Sequence, residues 1–367
     1  MKTTSIRRAL VPGVAAVALA LAGCSAANEQ PAEGGEGESG LSGTLSGGGA
    51  SSQEAAQNAW RAGFQDANPG VQVNYDPIGS GGGREQFIGG GYPFAGTDSA
   101  LSEEDGEVEG ATERCGGDFV EVPNYVSPIA VIFNVDGVDE LQLSPETLAS
   151  IFNDEITTWN DPAIAEDNPN ADLPDAEITA VHRSDESGTT ENFTNYLGTV
   201  AEDEWPHGEV GEWPIDAGEA GNGTSGVVSA VQNGTNTIGY ADASQAGDLG
   251  TALIGVGDEF VGPTPEAAAQ ILEVSPRTEG RPETSMAFEL DYETEEAGTY
   301  PIVLTSYLVA CTSYEDPEEG ELVKGYLSYI ISEEGQQTAA ENAGSAPLSP
   351  ELAEEAQGIV DGITAGE

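Results

Sequence analysis

Three segments of the chain combine glycines with serine or threonine residues at points where a helix is expected to begin. They are residues 46–52, 79–83 and 187–190. Free backbone N–H groups at a helix N-terminus carry partial positive charge, and glycine allows an oxyanion to approach the backbone closely. Arg183 lies four residues before Ser187 and adds a full positive charge. Together the three segments predict a converging site for an anion.

Nucleotide, hydrolytic and metal sites do not fit these residues. The glycine-rich segments have neither the lysine of a Walker A loop nor the dinucleotide pattern Gly-x-Gly-x-x-Gly. A Ser-His-Asp hydrolase needs a histidine base, and the only histidines are His182 and His207. Two histidines and these cysteine spacings form no zinc pattern. We therefore predict no catalytic residue, no cofactor and no metal, and a binding protein rather than an enzyme.

The charge balance excludes two classes of partner. The chain has 10 basic and 65 acidic residues, a formal net charge of -55. Nucleic acids and anionic membrane surfaces are bound through clusters of Lys and Arg, so contact with either through such clusters is not expected. A hydrophobic content of 38% is nevertheless sufficient for folded cores, and 367 residues correspond to about two domains.

The N-terminus has the layout of an export signal. Basic residues precede the apolar run 9–21, which leads into Leu-Ala-Gly-Cys at Cys24. These four residues resemble the lipobox of bacterial lipoproteins, which implies removal of residues 1–23 and lipidation of Cys24; a plain secretory signal is the alternative. Residues 24–40 contain no aromatic or β-branched side chain and should form a flexible linker. We expect an exported protein, lipid-anchored to the outer face of the cell membrane.

Short apolar strands alternate with helical stretches from Leu41 onward. This alternation predicts an α/β fold with largely parallel sheets. The predicted strands cover residues 71–75, 126–134, 178–182 and 237–240. The predicted helices begin at Arg84, at Pro145 and near Glu191, and a fourth covers residues 227–231.

Two longer segments carry a resemblance to a known family. Residues 181–190, Val-His-Arg-Ser-Asp-Glu-Ser-Gly-Thr-Thr, resemble the Arg-Ser-Asp-x-Ser-Gly-Thr signature of the phosphate-binding proteins of Pst-type ABC transporters. Residues 151–162 resemble the Ile-Phe-x-Gly-x-Ile-x-x-Trp-Asn-Asp-Pro segment of the same family. Shorter matches follow in the family's order, so the resemblance extends from about Leu41 to the C-terminus.

The resemblance implies a type II periplasmic-binding-protein fold, in which two α/β sandwich lobes are linked by a hinge. The first lobe would consist of residues 41–124 and 300–367, and the second of residues 125–299. The hinges would lie near residues 124–125 and 300–301.

The resemblance also implies the binding site. The phosphate-binding residues would be Ser51, Ser52, Ser80, Asp98, Arg183, Ser187, Gly188 and Thr189. Asp185 would pair with Arg183 and fix its guanidinium. Ser52 departs from the family, since some members have Phe at this position. Asp98 would accept a hydrogen bond from protonated phosphate; its alternative role is to cap the turn at residues 99–103.

Cys115 and Cys311 are the remaining cysteines. In the oxidising compartment that an export signal implies, two such thiols favour one disulfide. Two separate buried thiols are the alternative. The lobes implied by the resemblance place both cysteines in the first lobe, where a bond between them is possible.

The function implied by the resemblance is capture of inorganic phosphate outside the cytoplasm, by a monomer that delivers it to the membrane permease of an ABC transporter. A protein of the same fold that binds sulfate, molybdate or tungstate is the leading alternative. A secreted phosphatase on the same scaffold is a further one.

The net charge also predicts how the association rate constant for phosphate depends on salt. Removal of residues 1–23 would leave seven basic residues against all 65 acidic ones. Such a body repels a phosphate dianion at long range, and salt screens this repulsion beyond about 10 Å at about 0.1 M. We expect the association rate constant for phosphate, measured by stopped flow, to rise as salt is added from low values. A rate constant that falls with added salt would contradict the prediction.

Overall fold

A computed structural model of the chain describes residues 40–365. The predicted signal peptide, Cys24 and the linker up to residue 39 lie outside the described residues. Among the described residues, no helix is long and apolar enough to cross a membrane.

Fourteen strands are present in residues 40–365. They are β1 (Gly43–Gly49), β2 (Val71–Asp76), β3 (Phe94–Thr97), β4 (Phe119–Asn134), β5 (Gln142–Leu143), β6 (Thr179–Arg183), β7 (Glu219–Gly221), β8 (Thr237–Asp242), β9 (Gly250–Thr251), β10 (Leu253–Val256), β11 (Glu259–Val261), β12 (Val303–Cys311), β13 (Ser313–Tyr314) and β14 (Thr364–Ala365).

Twelve α-helices accompany them in the same part of the chain. They are α1 (Glu54–Ala67), α2 (Ser80–Ile88), α3 (Glu107–Cys115), α4 (Pro145–Phe152), α5 (Pro162–Asp167), α6 (Gly188–Val200), α7 (Gly223–Asn233), α8 (Pro265–Ala269), α9 (Ile271–Val274), α10 (Pro317–Ile331), α11 (Glu333–Ala343) and α12 (Pro350–Asp361). One turn of 3-10 helix covers Ala243–Gln245.

The main sheet has the strand order β2-β1-β3-β12-β4-β8-β6-β7, with β9 also paired to β4. Its two flanks are parallel, as the alternation of strands and helices predicts: β1 pairs with β2 and β3, and β6 pairs with β7 and β8. The two central strands, β12 and β4, are antiparallel to each other. The sheet is therefore mixed, and long antiparallel strands join two parallel flanks.

Strand β4 connects the two halves of the sheet. It pairs with β12 from Phe119 to Pro128 and with β8 from Ile129 to Asn134. We call β1–β3 and β12, with helices α1–α3 and α10–α12, the first lobe. We call β6–β9, with helices α4, α6 and α7, the second lobe. Both β12 and nearly all of β4 are buried, which agrees with the predominance of apolar residues in their sequences.

Two helices begin earlier than the sequence predicts. Helix α2 starts at Ser80 rather than Arg84. Gly79 adopts a positive φ of 93° just before the helix, and the three glycines that follow Ser80 are helical. The low helix propensity of glycine is outweighed here by packing, since a Cβ at Gly83 would lie only 2.4 Å from the Cα of Gly49. Helix α6 starts at Gly188 rather than near Glu191.

The N-terminus of α6 is fixed by a side-chain cap. The Oγ of Ser187 accepts a hydrogen bond of 3.2 Å from the backbone N–H of Thr190. A serine cap satisfies one of the backbone donors that a helix start leaves without a partner. The third glycine-hydroxyl segment is therefore largely the first turn of a helix rather than a loop.

Cys115 and Cys311 form a disulfide in the structure. Cys115 ends α3 and Cys311 ends β12, and their Cα atoms are 5.1 Å apart. The bond closes a sequence separation of 196 residues and lies within the first lobe.

Loss of this disulfide should destabilise the fold. We expect the double substitution of Cys115→Ser with Cys311→Ser to lower the free energy of unfolding by about 2–5 kcal/mol, because a cross-link over so long a separation restricts the unfolded chain. Chemical denaturation followed by circular dichroism measures the difference. A reducing agent should destabilise the wild type similarly and leave the double variant unaffected. Equal unfolding free energies for the two proteins would contradict this prediction.

Candidate functional site

The first-lobe residues of the predicted site come together at the ends of neighbouring strands. Ser51 and Ser52 follow β1, Ser80 begins the helix after β2, and Asp98 follows β3. Because β1 is parallel to both β2 and β3, the segments after these strands meet at one edge of the sheet. Ser52 Oγ donates to Asp98 Oδ2 at 2.5 Å, and the backbone N–H of Asp98 donates to Ser80 Oγ at 3.2 Å.

The second lobe supplies the start of helix α6. Thr189 Oγ1 donates to Asp98 Oδ2 at 3.1 Å, so a hydrogen bond joins the two lobes directly. The lobes also approach closely at Gly188. A Cβ there would lie 2.7 Å from Ser80 Oγ and 3.0 Å from Asp98 Cβ, and only glycine fits. The first N–H groups of a helix have no intrahelical partner, so Gly188 and Thr189 offer backbone donors as well.

Asp98 is the central acceptor of this arrangement. It is 2% exposed and accepts hydrogen bonds from the hydroxyls of Ser52, Thr189 and Ser306, the last at 2.9 Å to Oδ1. Its oxygens thus accept from these hydroxyls rather than capping the turn at residues 99–103. Burial raises the pKa of Asp98, although the three hydrogen bonds and the charge of Arg183 oppose the increase.

Arg183 is held by its neighbour in sequence. Its side chain is 3% exposed. Its Nε donates to Asp185 Oδ1 at 2.8 Å, and its Nη2 donates to Asp185 Oδ2. The backbone N–H of Gly223 also donates to Asp185 Oδ1, at 3.0 Å. Burial would raise the pKa of Asp185, but the hydrogen bonds and charge of Arg183 outweigh it and lower the pKa overall. Among the described residues, Nη1 of Arg183 has no hydrogen-bond partner.

Three contacts were not predicted from the sequence. Ser51 Oγ and Thr224 Oγ1 are 3.0 Å apart, and the backbone N–H of Thr224 donates to the same Ser51 oxygen at 3.0 Å. Gln245 Nε2 donates to the carbonyl oxygens of Ser51 and Ser52 at 3.1 and 3.2 Å. The hydrogen bond from Ser306 Oγ to Asp98 Oδ1 is the third contact. The adjacent polar residues Thr305 and Ser306 inside the mainly apolar strand β12 are a signal that could have indicated this contact, whereas Gln245 has no such signal.

The glycines of the second segment lie against carboxylates of the second lobe. A Cβ at Gly79 would lie 2.8 Å from Asp185 Oδ2, and a Cβ at Gly81 would overlap the Glu186 carboxylate at 1.2 Å. These glycines therefore admit second-lobe carboxylates to the start of α2, and only Ser80 of this segment contacts Asp98.

The assembled cluster suits a tetrahedral oxyanion. It offers hydroxyl groups, helix N–H groups and one guanidinium as donors, with the buried carboxylate of Asp98 as an acceptor. An anion that retains a proton can use both kinds of group. Within residues 40–365, no group of three or more His, Cys, Asp or Glu side chains is placed to hold a metal ion.

Comparison with known proteins agrees with this chemistry. A profile described as PBP superfamily domain matches residues 34–334. Phosphate-binding protein PstS 3 of Mycobacterium leprae (strain TN) is 34% identical over 316 residues, which cover 83% of this chain and 83% of the relative. Phosphate-binding protein PstS of Xylella fastidiosa (strain Temecula1 / ATCC 700964) is 32% identical over 318 residues, covering 84% of this chain and 82% of the relative.

A solved structure supports the fold. The periplasmic phosphate-binding protein PfluDING, solved with phosphate bound, superposes with a TM-score of 0.68 at 19% identity, covering 89% of this chain and 99% of that chain. At this identity the similarity indicates a shared periplasmic-binding-protein fold. The family follows from the profile match and from the identity to the two PstS proteins. This chain belongs to the PBP superfamily, in the family of the PstS phosphate-binding proteins.

Proposed function

We propose that this protein binds inorganic phosphate outside the cytoplasm and delivers it to the permease of an ABC transporter. The observation that carries the proposal is the buried carboxylate of Asp98 among hydroxyl donors, close enough to Arg183 for its charge to act on Asp98. The PstS relatives are named as phosphate-binding proteins, and the neighbouring structure was solved with phosphate. The protein binds and releases its ligand without chemical change.

Phosphate binding would use the residues that the sequence predicts. They are Ser51, Ser52, Ser80, Asp98, Arg183, Ser187, Gly188 and Thr189, with Asp185 orienting the guanidinium. On binding, hydroxyls that now donate to Asp98 would turn to phosphate oxygens, and a phosphate proton would take their place on the carboxylate. The N–H groups at the start of α6 would add donors where the helix dipole favours an anion.

Closure of the two lobes over the anion completes the proposed mechanism. The predicted lobes, residues 41–124 with 300–367 and residues 125–299, would rotate about hinges near residues 124–125 and 300–301. The course of β4 supports this division, because β4 pairs with β12 up to Pro128 and with β8 from Ile129 onward. A bend along β4 would therefore move one lobe relative to the other.

Location follows from the family and the N-terminal motif. PstS-type binding proteins work outside the cytoplasm, and the disulfide between Cys115 and Cys311 suits an oxidising compartment. We propose that lipidation of Cys24 anchors the protein to the outer face of the cell membrane and that it acts there as a monomer.

Arg183 provides the first test of the site. We expect Arg183→Ala to weaken phosphate binding at least tenfold, because one charge-assisted hydrogen bond contributes about 1.5–3 kcal/mol. Titration calorimetry measures the affinity, and circular dichroism should be unchanged. Arg277→Ala is the matched control, since Arg277 forms a partly exposed ion pair with Glu355 outside the site. Wild-type affinity in Arg183→Ala would remove this residue from the site.

Asp98 tests the identity of the anion. Phosphate near neutral pH retains a proton that it can donate to Asp98, whereas sulfate has none. A site built around such a bond rejects an analogue lacking it by roughly 10⁴–10⁵-fold, because its buried group is left without a partner. We expect calorimetry to show that the wild type binds phosphate much more tightly than sulfate. The difference between the two affinities should be smaller in Asp98→Ala. If Asp98→Ala leaves the ratio of phosphate to sulfate affinity unchanged, other residues determine the selectivity. If the wild type binds sulfate or molybdate more tightly than phosphate, phosphate is not its ligand.

A further inference from the structure

Arg84 is buried at the boundary between the two lobes. It lies on α2, and its side chain is 3% exposed. Within the first lobe, Arg84 Nε donates to Glu107 Oε1 at 2.7 Å, and Nη1 donates to Thr97 Oγ1 at 3.0 Å and to Ser99 Oγ at 2.7 Å. These contacts hold the guanidinium at the end of β3, directly beside the segment that carries Asp98.

The remaining donors of the same guanidinium reach the second lobe. Arg84 Nη2 donates to Glu191 Oε1 at 2.7 Å and to Glu186 Oε1 at 2.6 Å. Ser99 Oγ donates to the other oxygen of Glu191. Glu186 lies in the segment between β6 and α6, and Glu191 lies in the first turn of α6. Arg84 is thus bonded to the same short segment that supplies Thr189 to the site.

The two carboxylates differ in exposure. The Glu191 side chain is 14% exposed and the Glu186 side chain 39%. Burial raises the pKa of Glu186 to about 7; Arg84 opposes the increase, while Glu191 and Glu107 add to it by repulsion. Glu191, which bonds Arg84 and Ser99 together, is the principal partner across the boundary.

Separation of the lobes would break these contacts. A buried guanidinium is stable only while it is paired and hydrogen-bonded, and removal of a partner from a buried ion pair is strongly unfavourable. Burial would lower the pKa of Arg84, but the charges of Glu191, Glu107 and Glu186 raise it overall, so Arg84 remains charged. In this arrangement, all three guanidinium nitrogens have hydrogen-bond partners. The partners of Nη2 belong to the second lobe.

We propose that Arg84, Glu186 and Glu191 form an interlobe clamp that holds the lobes together around the bound anion and sets the rate of its release. The clamp rests on the proposed function, because it acts on phosphate held at Asp98. Arg84 and Glu191 are positioning residues: they touch the segments that carry Asp98 and Thr189 rather than the anion itself.

Release kinetics test the clamp. We expect Glu191→Gln and Arg84→Lys to release radiolabelled phosphate about tenfold faster in a chase experiment, with a much smaller change in the association rate constant. Lysine keeps the charge of Arg84, so the buried partners are not left without a cation, but it lacks the guanidinium fork that spans both lobes. Glu186→Gln should have a smaller effect than Glu191→Gln, since Glu186 is more exposed and only Glu191 also bonds Ser99.

Glu85→Gln is the matched control. Glu85 follows Arg84 on α2 and is exposed, so its substitution should leave the release rate unchanged. Thermal denaturation identifies any variant that fails to fold. Equal release rates in Glu191→Gln, Arg84→Lys and Glu85→Gln would overturn the clamp while leaving phosphate binding established.

A second measurement does not depend on phosphate. We expect small-angle X-ray scattering of the ligand-free Glu191→Gln protein to give a larger radius of gyration than the wild type, because weaker contacts between the lobes favour the open form. An unchanged radius would count against the clamp. Failure of the wild type to bind phosphate in calorimetry would instead contradict the proposed function.

Discussion

The contact between the two lobes at the candidate site depends on one buried carboxylate. Asp98 accepts hydroxyl hydrogen bonds from Ser52 and Ser306 of the first lobe and from Thr189 of the second. Burial of a carboxylate is costly unless its oxygens are hydrogen-bonded, so the surrounding groups must be placed within hydrogen-bonding distance. The ends of β1 and β3, the strand β12 and the start of α6 all meet at this side chain.

This requirement explains where glycine occurs. Thr189 can reach Asp98 only if the start of α6 approaches Ser80 closely, and Gly188 is the residue at that approach. Gly81 admits the carboxylate of Glu186 to helix α2 in the same way. These glycines therefore allow the two lobes to come into contact.

The distribution of charge follows a related constraint. Basic residues are rare in this acidic chain, and two of the most buried ones, Arg84 and Arg183, lie at the boundary between the lobes. Each is held by carboxylates, Arg183 by Asp185 and Arg84 chiefly by Glu191. The other donors near Asp98 are hydroxyl and backbone N–H groups, which carry no formal charge. Such donors recognise an anion by geometry, because they fix the directions of its hydrogen bonds.

Local sequence determined the elements and the motifs. Strand β2, helix α4 and strand β8 lie where alternation, the N-terminal proline and apolar runs predict them, because these signals act over a few residues. The resemblance around Arg183 and Ser187 indicated the family, which the comparisons then established. The predicted binding residues Ser52, Ser80, Asp98 and Thr189 are brought together in the structure, and Arg183 is paired with Asp185.

Only the tertiary structure decided which groups face one another across the cleft. Helices α2 and α6 begin earlier than predicted, because the packing of glycine against β1 and the cap of Ser187 outweigh the local preference of the residues involved. The contacts of Gln245 with Ser51 and Ser52 join positions far apart in sequence, as do those of Arg84 with Glu191. A residue's neighbours within a strand or helix follow from its own segment, but its neighbours in the other lobe depend on how β4 and β12 place the two flanks of the sheet.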